Sequence, residues 1–115
     1  DRPIHTHNKL VKNTFYNAEE RREIARELNK RIGESKAPTH LIIPNGGIEE
    51  WDRPGGDCHD PEGLAAFLEE LKATVAPLVA ATEIAGHIND PEFNAKALEV
   101  FDTWVAEGFV AEGVK

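Results

Sequence analysis

The sequence predicts an α/β fold: a short parallel sheet with helices packed on it. Three observations carry that prediction. Leu41, Ile42 and Ile43 are consecutive and apolar, which suits a strand covered on both faces. Apolar stripes at helical spacing lie before and after it. Asp-Pro-Glu occurs twice, at 60–62 and 90–92, each time opening a helix after a loop, so strands and helices alternate.

Taken in order, residues 1–16 carry β-branched and aromatic residues in loose alternation and predict an extended segment, with a turn at Asn8. His5 and His7 would share one face of a strand, a spacing used by metal-binding pairs and equally by exposed strand histidines. The first helix opens on Asn17 as N-cap, with Glu20 completing a capping box. Ile24, Ala25, Leu28 and Ile32 form its apolar stripe. Glu27 and Arg31 add an i,i+4 pair worth roughly 0.3 kcal/mol. Gly33 is placed to end the helix in a left-handed conformation. A linker with Pro38 leads to a strand over 39–43, and a long loop follows. A second helix is expected from 61 to about 76, with Leu64, Phe67, Leu68, Leu71 and Val75 as its apolar face and Pro77 as its stop. Residues 79–85 read as a weaker, alanine-rich strand. A third helix then starts at Asp90-Pro91-Glu92, with Phe93, Ala97, Leu98, Phe101, Trp104 and Val105 expected on its buried face.

A chain of 115 residues is one domain, 1–115, with a modest core. No run of about 18 apolar residues is present, so no membrane span is expected. The chain starts at Asp1 with no apolar leader, which reads as a piece of a longer protein. The single cysteine, Cys58, excludes an internal disulfide and fits a reducing, cytoplasmic compartment. The net charge of −8 is uneven: residues 1–36 hold nine Lys/Arg against six Asp/Glu, and all the acidity lies beyond them. That balance argues against a nucleic-acid partner. The basic segment reads first as a solvated helix face.

In a parallel sheet, ligands bind in the crevice outside the carboxyl ends of the strands. Two loops arrive there. One runs from Pro44 through Asn45, Gly46 and Gly47 to Asp52, His59 and Asp60; the other holds His87, Asn89 and Asp90. Each Asp-Pro-Glu is explained by helix capping alone, but no cap needs His59 or His87. Three chemistries fit. The glycine turn and helix N-termini offer backbone N–H groups to phosphate or carboxylate, although NGG is neither a Walker loop nor a dinucleotide fingerprint. His59, Asp57 or Asp60, and His87 have the ligand types for a divalent metal but no compact spacing. His59 or His87 could act as an acid–base catalyst oriented by a carboxylate. Cys58 reads as inert, and Trp51 as an anchor for the loop ahead of a lid or stacking surface.

The motifs in sequence are Asn8 with Thr14 six residues on, P-x-GG at 44–47, D-x-PGG-x-x-x-DPE at 52–62, and HINDPEF at 87–93. Together they resemble the C-terminal part of the Tm-one-like ATP-binding family, over about residues 7–101. Glu49, Cys58 and Lys12-Asn13 depart from the family pattern. The resemblance implies a protein of two Rossmann-like halves that binds ATP with Mg, of which this chain is the last portion of the second half. It adds Asn8 and Thr14 to the ligand-facing residues Asn45, Gly46, Gly47, Asp52, His59, Asp60, His87, Asn89 and Asp90. The missing upstream portion becomes the first expected partner. An enzyme using His59 or His87 in the same cleft is the alternative. A structural or oligomerisation module is the third reading, because an incomplete sheet leaves open strand edges that invite a homo-oligomer.

Overall fold

The computed structural model describes the backbone at 4–6 and 12–14 and the whole chain over 16–111. Strands β1 (Ile4–Thr6) and β2 (Lys12–Thr14) pair antiparallel, in keeping with an extended N-terminal segment that doubles back. Asn8 and His7 lie outside the described residues, as do the side chains of His5 and Thr14.

Helix α1 (Ala18–Gly33) begins as its sequence requires. The Asn17 side chain accepts from the Glu20 amide at 2.9 Å, and the Glu20 carboxylate accepts from the Asn17 amide at 3.0 Å. Its end differs from expectation. Gly33 stays inside the helix, and the cap is Glu34 in a right-handed conformation, its N–H shared between the Arg31 and Ile32 carbonyls. A Cβ on Gly33 would stand 3.3 Å from that of Ala76, so this glycine serves the approach of α1 to the segment after the second helix.

Strand β3 (His40–Pro44) is followed by the long loop, which contains one 3-10 turn (Glu50–Asp52), and then by helix α2 (Pro61–Thr74). Asp60 caps α2 by accepting from the Gly63 amide at 2.9 Å. The helix stops short of Ala76 because Val75 turns extended before the Ala76-Pro77 bond. Strand β4 (Ala80–Ile84) lies parallel to β3 in the register His40↔Ala80 through Pro44↔Ile84. This is the β–α–β crossover that parallel pairing demands. Helix α3 (Pro91–Ala106) closes the fold.

The core sits between α1, α2 and one face of β3. Ala25, Ile43, Phe67, Leu68 and Leu71 are buried together, with Leu41, Ile48 and Leu64 packed against them. Strand alternation puts Leu41 and Ile43 on this face and Ile42 on the other, where α3 lies against β3. Two expected apolar faces are corrected by the structure. Ile24 and Leu28 are about two-fifths exposed, because only Ala25 and Asn29 of α1 are buried against α2. None of α3 is buried: Phe93, Ala97, Trp104 and Val105 are partly covered, and Leu98 and Phe101 stand open. The two described strands beneath α3 are too narrow to cover it.

Asn29 was not legible as a core residue. It is 3% exposed, and its Nδ2 donates to the Leu71 carbonyl at 2.7 Å and to Thr74 Oγ1 at 2.8 Å, tying α1 to the last turn of α2. Its Oδ1 is buried without a partner. Replacing Asn29 by Ala is expected to cost about 2 kcal/mol, because a buried carbonyl loses its donor and a small void remains. Urea unfolding measures this; a loss under about 0.5 kcal/mol would show that the interface does not need the amide.

Candidate functional site: two loops clasped at the strand ends

The carboxyl ends of β3 and β4 bring the two loops together, as parallel pairing dictates. The ladder runs one step past the strands, with the Asn45 N–H donating to the Ile84 carbonyl at 2.8 Å. Gly46 N–H then donates to the Gly86 carbonyl at 2.8 Å, and Ile88 N–H donates back to the Gly47 carbonyl at 3.0 Å. This crossing explains both glycines. A Cβ on Gly46 would lie 2.6 Å from the Gly86 carbonyl carbon and 2.8 Å from the His87 nitrogen. Gly47 has φ +129°, and a Cβ there would meet Asp52 and the His87 ring.

His87 fills the centre of the clasp and is 2% exposed. Its Nδ1 accepts from the Asn89 N–H at 3.1 Å, which assigns the proton of the neutral ring to Nε2. Nε2 faces the Glu49 carbonyl at 2.7 Å and Asp52 Oδ1 at 3.3 Å. Asp52 is itself buried, and its Oδ2 accepts from the Ile48 N–H at 3.3 Å. Both ring nitrogens of His87 are thus engaged inside the protein, and the ring ties residues 48–52 to 86–89.

A second layer of bonds runs over the rim. Arg53, which sequence reasoning passed over, pairs with Glu50 at 2.9 Å and with Asp90 at 3.0 Å. Asn89 Nδ2 donates to Glu50 Oε2 at 2.8 Å. Asp90 departs from expectation. It makes no side-chain cap on α3; its Oδ2 accepts from the His87 N–H at 2.9 Å while Oδ1 takes Arg53. These contacts hold Asp90 below the ordinary carboxyl range, first through the His87 N–H and then through Arg53. Glu50 is held low by the Asn89 amide and then by Arg53. Asn45 Nδ2 donates to Glu83, which also pairs with Lys72 at 2.7 Å, while Asn45 Oδ1 is buried without a partner.

The remaining candidates stand on the outer turn. His59 is exposed and uses Nδ1 against the Asp52 carbonyl at 3.0 Å; among the described residues its Nε2 has no partner. Asp60 divides between capping α2 and an ion pair with Arg21 at 3.6 Å. Trp51 is half-buried, and its carbonyl accepts from the Cys58 N–H at 3.0 Å, so the loop is pinned at that point. Burial, and then the charge of Asp57, push the Cys58 thiol up, the opposite of what a thiolate nucleophile needs.

The geometry therefore brings Asn45, Gly46, Gly47, Asp52, His87, Asn89 and Asp90 into one cluster, with His59 and Asp60 at its edge. It does not gather a metal set. Among the described residues no three His, Cys, Asp or Glu side chains stand close enough to hold an ion, so His59, Asp57 or Asp60, and His87 remain apart. The N–H groups of the glycine turn are engaged within the protein. The Gly46, Gly47 and Ile48 N–H groups go to Gly86, Pro44 and Asp52, and the nearby cations Arg53 and Lys72 are paired with carboxylates.

Two outcomes follow. Gly46→Ala is expected to lose at least about 2 kcal/mol in a thermal melt, because the Cβ meets backbone that cannot give way. Gly55→Ala, at φ +85° in open space, is expected to lose only about 1 kcal/mol. Equal losses would contradict the close-approach account. The clasp is also acid-sensitive. Asp90 and Glu50 are depressed from ordinary values of 3.8 and 4.5, so their stabilisation is complete above those values and fades as pH falls through and below them. Asp90→Asn should flatten the acid limb of stability against pH; an unchanged limb would remove Asp90 as its source.

Comparison with known proteins places these residues in a family. A family model described as the C-terminal domain of an uncharacterised protein family, UPF0261, matches residues 1–105. A UPF0261 protein from Brucella melitensis biotype 1 is 45% identical over 113 residues, covering 98% of this chain and 27% of the relative. One from Brucella suis biovar 1 is 44% identical over the same share of each. The chain thus spans about a quarter of the length of the curated relatives it matches. Neither description mentions ATP or the Tm-one-like proteins, and the clasp, from Asn45 to Asp90, lies wholly inside the matched span. By that match the chain belongs to the UPF0261 family, as its C-terminal domain.

Proposed function

We propose that this chain is the C-terminal part of a longer nucleotide-binding protein, in which the clasped loops form one wall of an inter-domain cleft. The observation that carries the reading is the cluster at the carboxyl edge of β3 and β4, where open α/β sheets bind ligands. Its rigidity supports the role of a wall, since a ligand meeting a braced surface orders little on binding. The same cluster argues for a division of labour. Its donors are engaged and its rim is acidic, so the phosphates of ATP, with their Mg, fall to upstream chain. The rim, with exposed His59 and Asn89 and half-buried Asn45, is left to contact the rest of the ligand.

Calorimetric titration of the full-length protein with Mg-ATP tests this. Binding is expected, and Asn45→Ala or His59→Ala should weaken it by roughly tenfold, the effect of one lost hydrogen bond. No binding by the wild type would overturn the nucleotide reading. Unchanged affinity in both variants would take the wall out of the site.

One observation favours a second, enzymatic reading: His59 alone among the candidate histidines presents an exposed ring with one nitrogen unengaged by described residues. Acid–base chemistry in this chain would therefore rest on His59, with His87 as its brace.

A further inference from the structure

Among the described residues the free side of β4 and the outer face of α3 are both uncovered. We infer that together they make up the docking surface for upstream chain of the same polypeptide, which adds a strand beside β4 and an apolar layer against α3.

Three observations converge on that surface. First, β4 pairs only with β3 among the described residues, and two strands alone are marginal in water; a stable sheet needs a third strand or fuller cover. Second, β4 is only lightly protected as an edge. Its sequence AATEI has no proline, no lysine and no bulge, its one charge, Glu83, is drawn to Lys72 and Asn45, and Ala80 and Ala81 are exposed. Third, large apolar side chains stand open on α3 and near the ends of β4 and α3. Leu98 and Phe101 of α3 are 63% and 48% exposed, Leu78 at the foot of β4 is fully exposed, and Phe109 just beyond α3 is 59% exposed. Leu98, Phe101 and Val105 follow the i, i+3, i+7 spacing of a packing stripe, whereas Glu99 and Asp102 mark the charged side. An open stripe of this kind marks an interface.

The occupant follows from the family. Its members are matched by this chain over 27% of their length, and the matching model is a C-terminal domain, so upstream chain is available in cis. Cis docking needs no concentration of a second molecule. It also fits the light edge protection, because an edge covered within one polypeptide is never exposed to a neighbour. A second copy of this chain is the competing occupant, and the experiment separates the two.

The test uses the full-length protein. Hydrogen exchange should show amides of 80–84 about tenfold or more slower than the two-stranded sheet alone would give, comparable to those of 40–44. Leu98→Lys and Phe101→Lys should each lower the melting temperature, while Ala95→Lys, on the charged side of α3, should not. Light scattering should give a monomer, or an oligomer that Leu98→Lys leaves intact. Free exchange at 80–84 with no melting shift in either apolar variant would overturn the inference. An oligomer that Leu98→Lys dissociates would overturn it in favour of a second copy. Neither outcome depends on nucleotide, so failure here and failure of the binding titration are distinguishable.

Discussion

The structure depends on a backbone crossing. Parallel β3 and β4 deliver two loops to the same edge, and these can lie side by side only if the chain has no side chain at Gly46. The Gly46–Gly86 and Ile88–Gly47 bonds follow from that approach. With the backbones in contact, His87 falls into the space between Gly47 and Asp52, and Arg53 comes within reach of Asp90. A substituent at one position would displace the whole set, because each later contact presumes the earlier one. Gly46 and Gly47 thus serve the close approach of the protein's own chain.

Much of the fold was legible because its signals are local. The capping box of α1 needs only Asn17 and Glu20, three residues apart, and the structure shows both halves of it. Pro61 and Pro77 bracket α2 through steric rules that act within a residue or two. The parallel sheet followed from an unbroken apolar run and a helical crossover. Misreadings arose where partners are distant in sequence. Asp90 looked like a helix cap because its neighbours are Pro91 and Glu92, yet its oxygens answer to His87 N–H and to Arg53, 37 residues away. Asn29 looked like one polar residue on a helix, and its partners are 42 and 45 residues on. The α3 stripe was read correctly as apolar and wrongly as buried, since periodicity reports which face seeks cover and not whether this chain supplies it.

The site residues divide in the same way. Asn45, Asp52, His87, Asn89 and Asp90 were marked from their place at strand ends, and the fold does bring them together. Their bonds, however, run to one another. Buried His87 has both nitrogens engaged and orients the loops, whereas His59 is exposed and holds only the Asp52 carbonyl through Nδ1. Arg53 gave no motif, being one arginine in a turn-rich loop. Only the arrival of Asp90 beside Glu50 gives it meaning.

The spans of the clasp bonds set an order on the chain's assembly. His87 to Asp52, Arg53 to Asp90 and Asn89 to Glu50 reach across 35, 37 and 39 residues. None of them can exist until α2 has folded back and β4 has docked on β3. Before that moment the Gly46 N–H lacks its partner, while the Gly47 and Ile48 N–H groups can already reach Pro44 and Asp52. The clasp itself appears only with the finished crossover. As the chain is synthesised from its N-terminus, residues 45–60 can make only their local turns until 80–90 has emerged, so an intact clasp reports the completion of the fold.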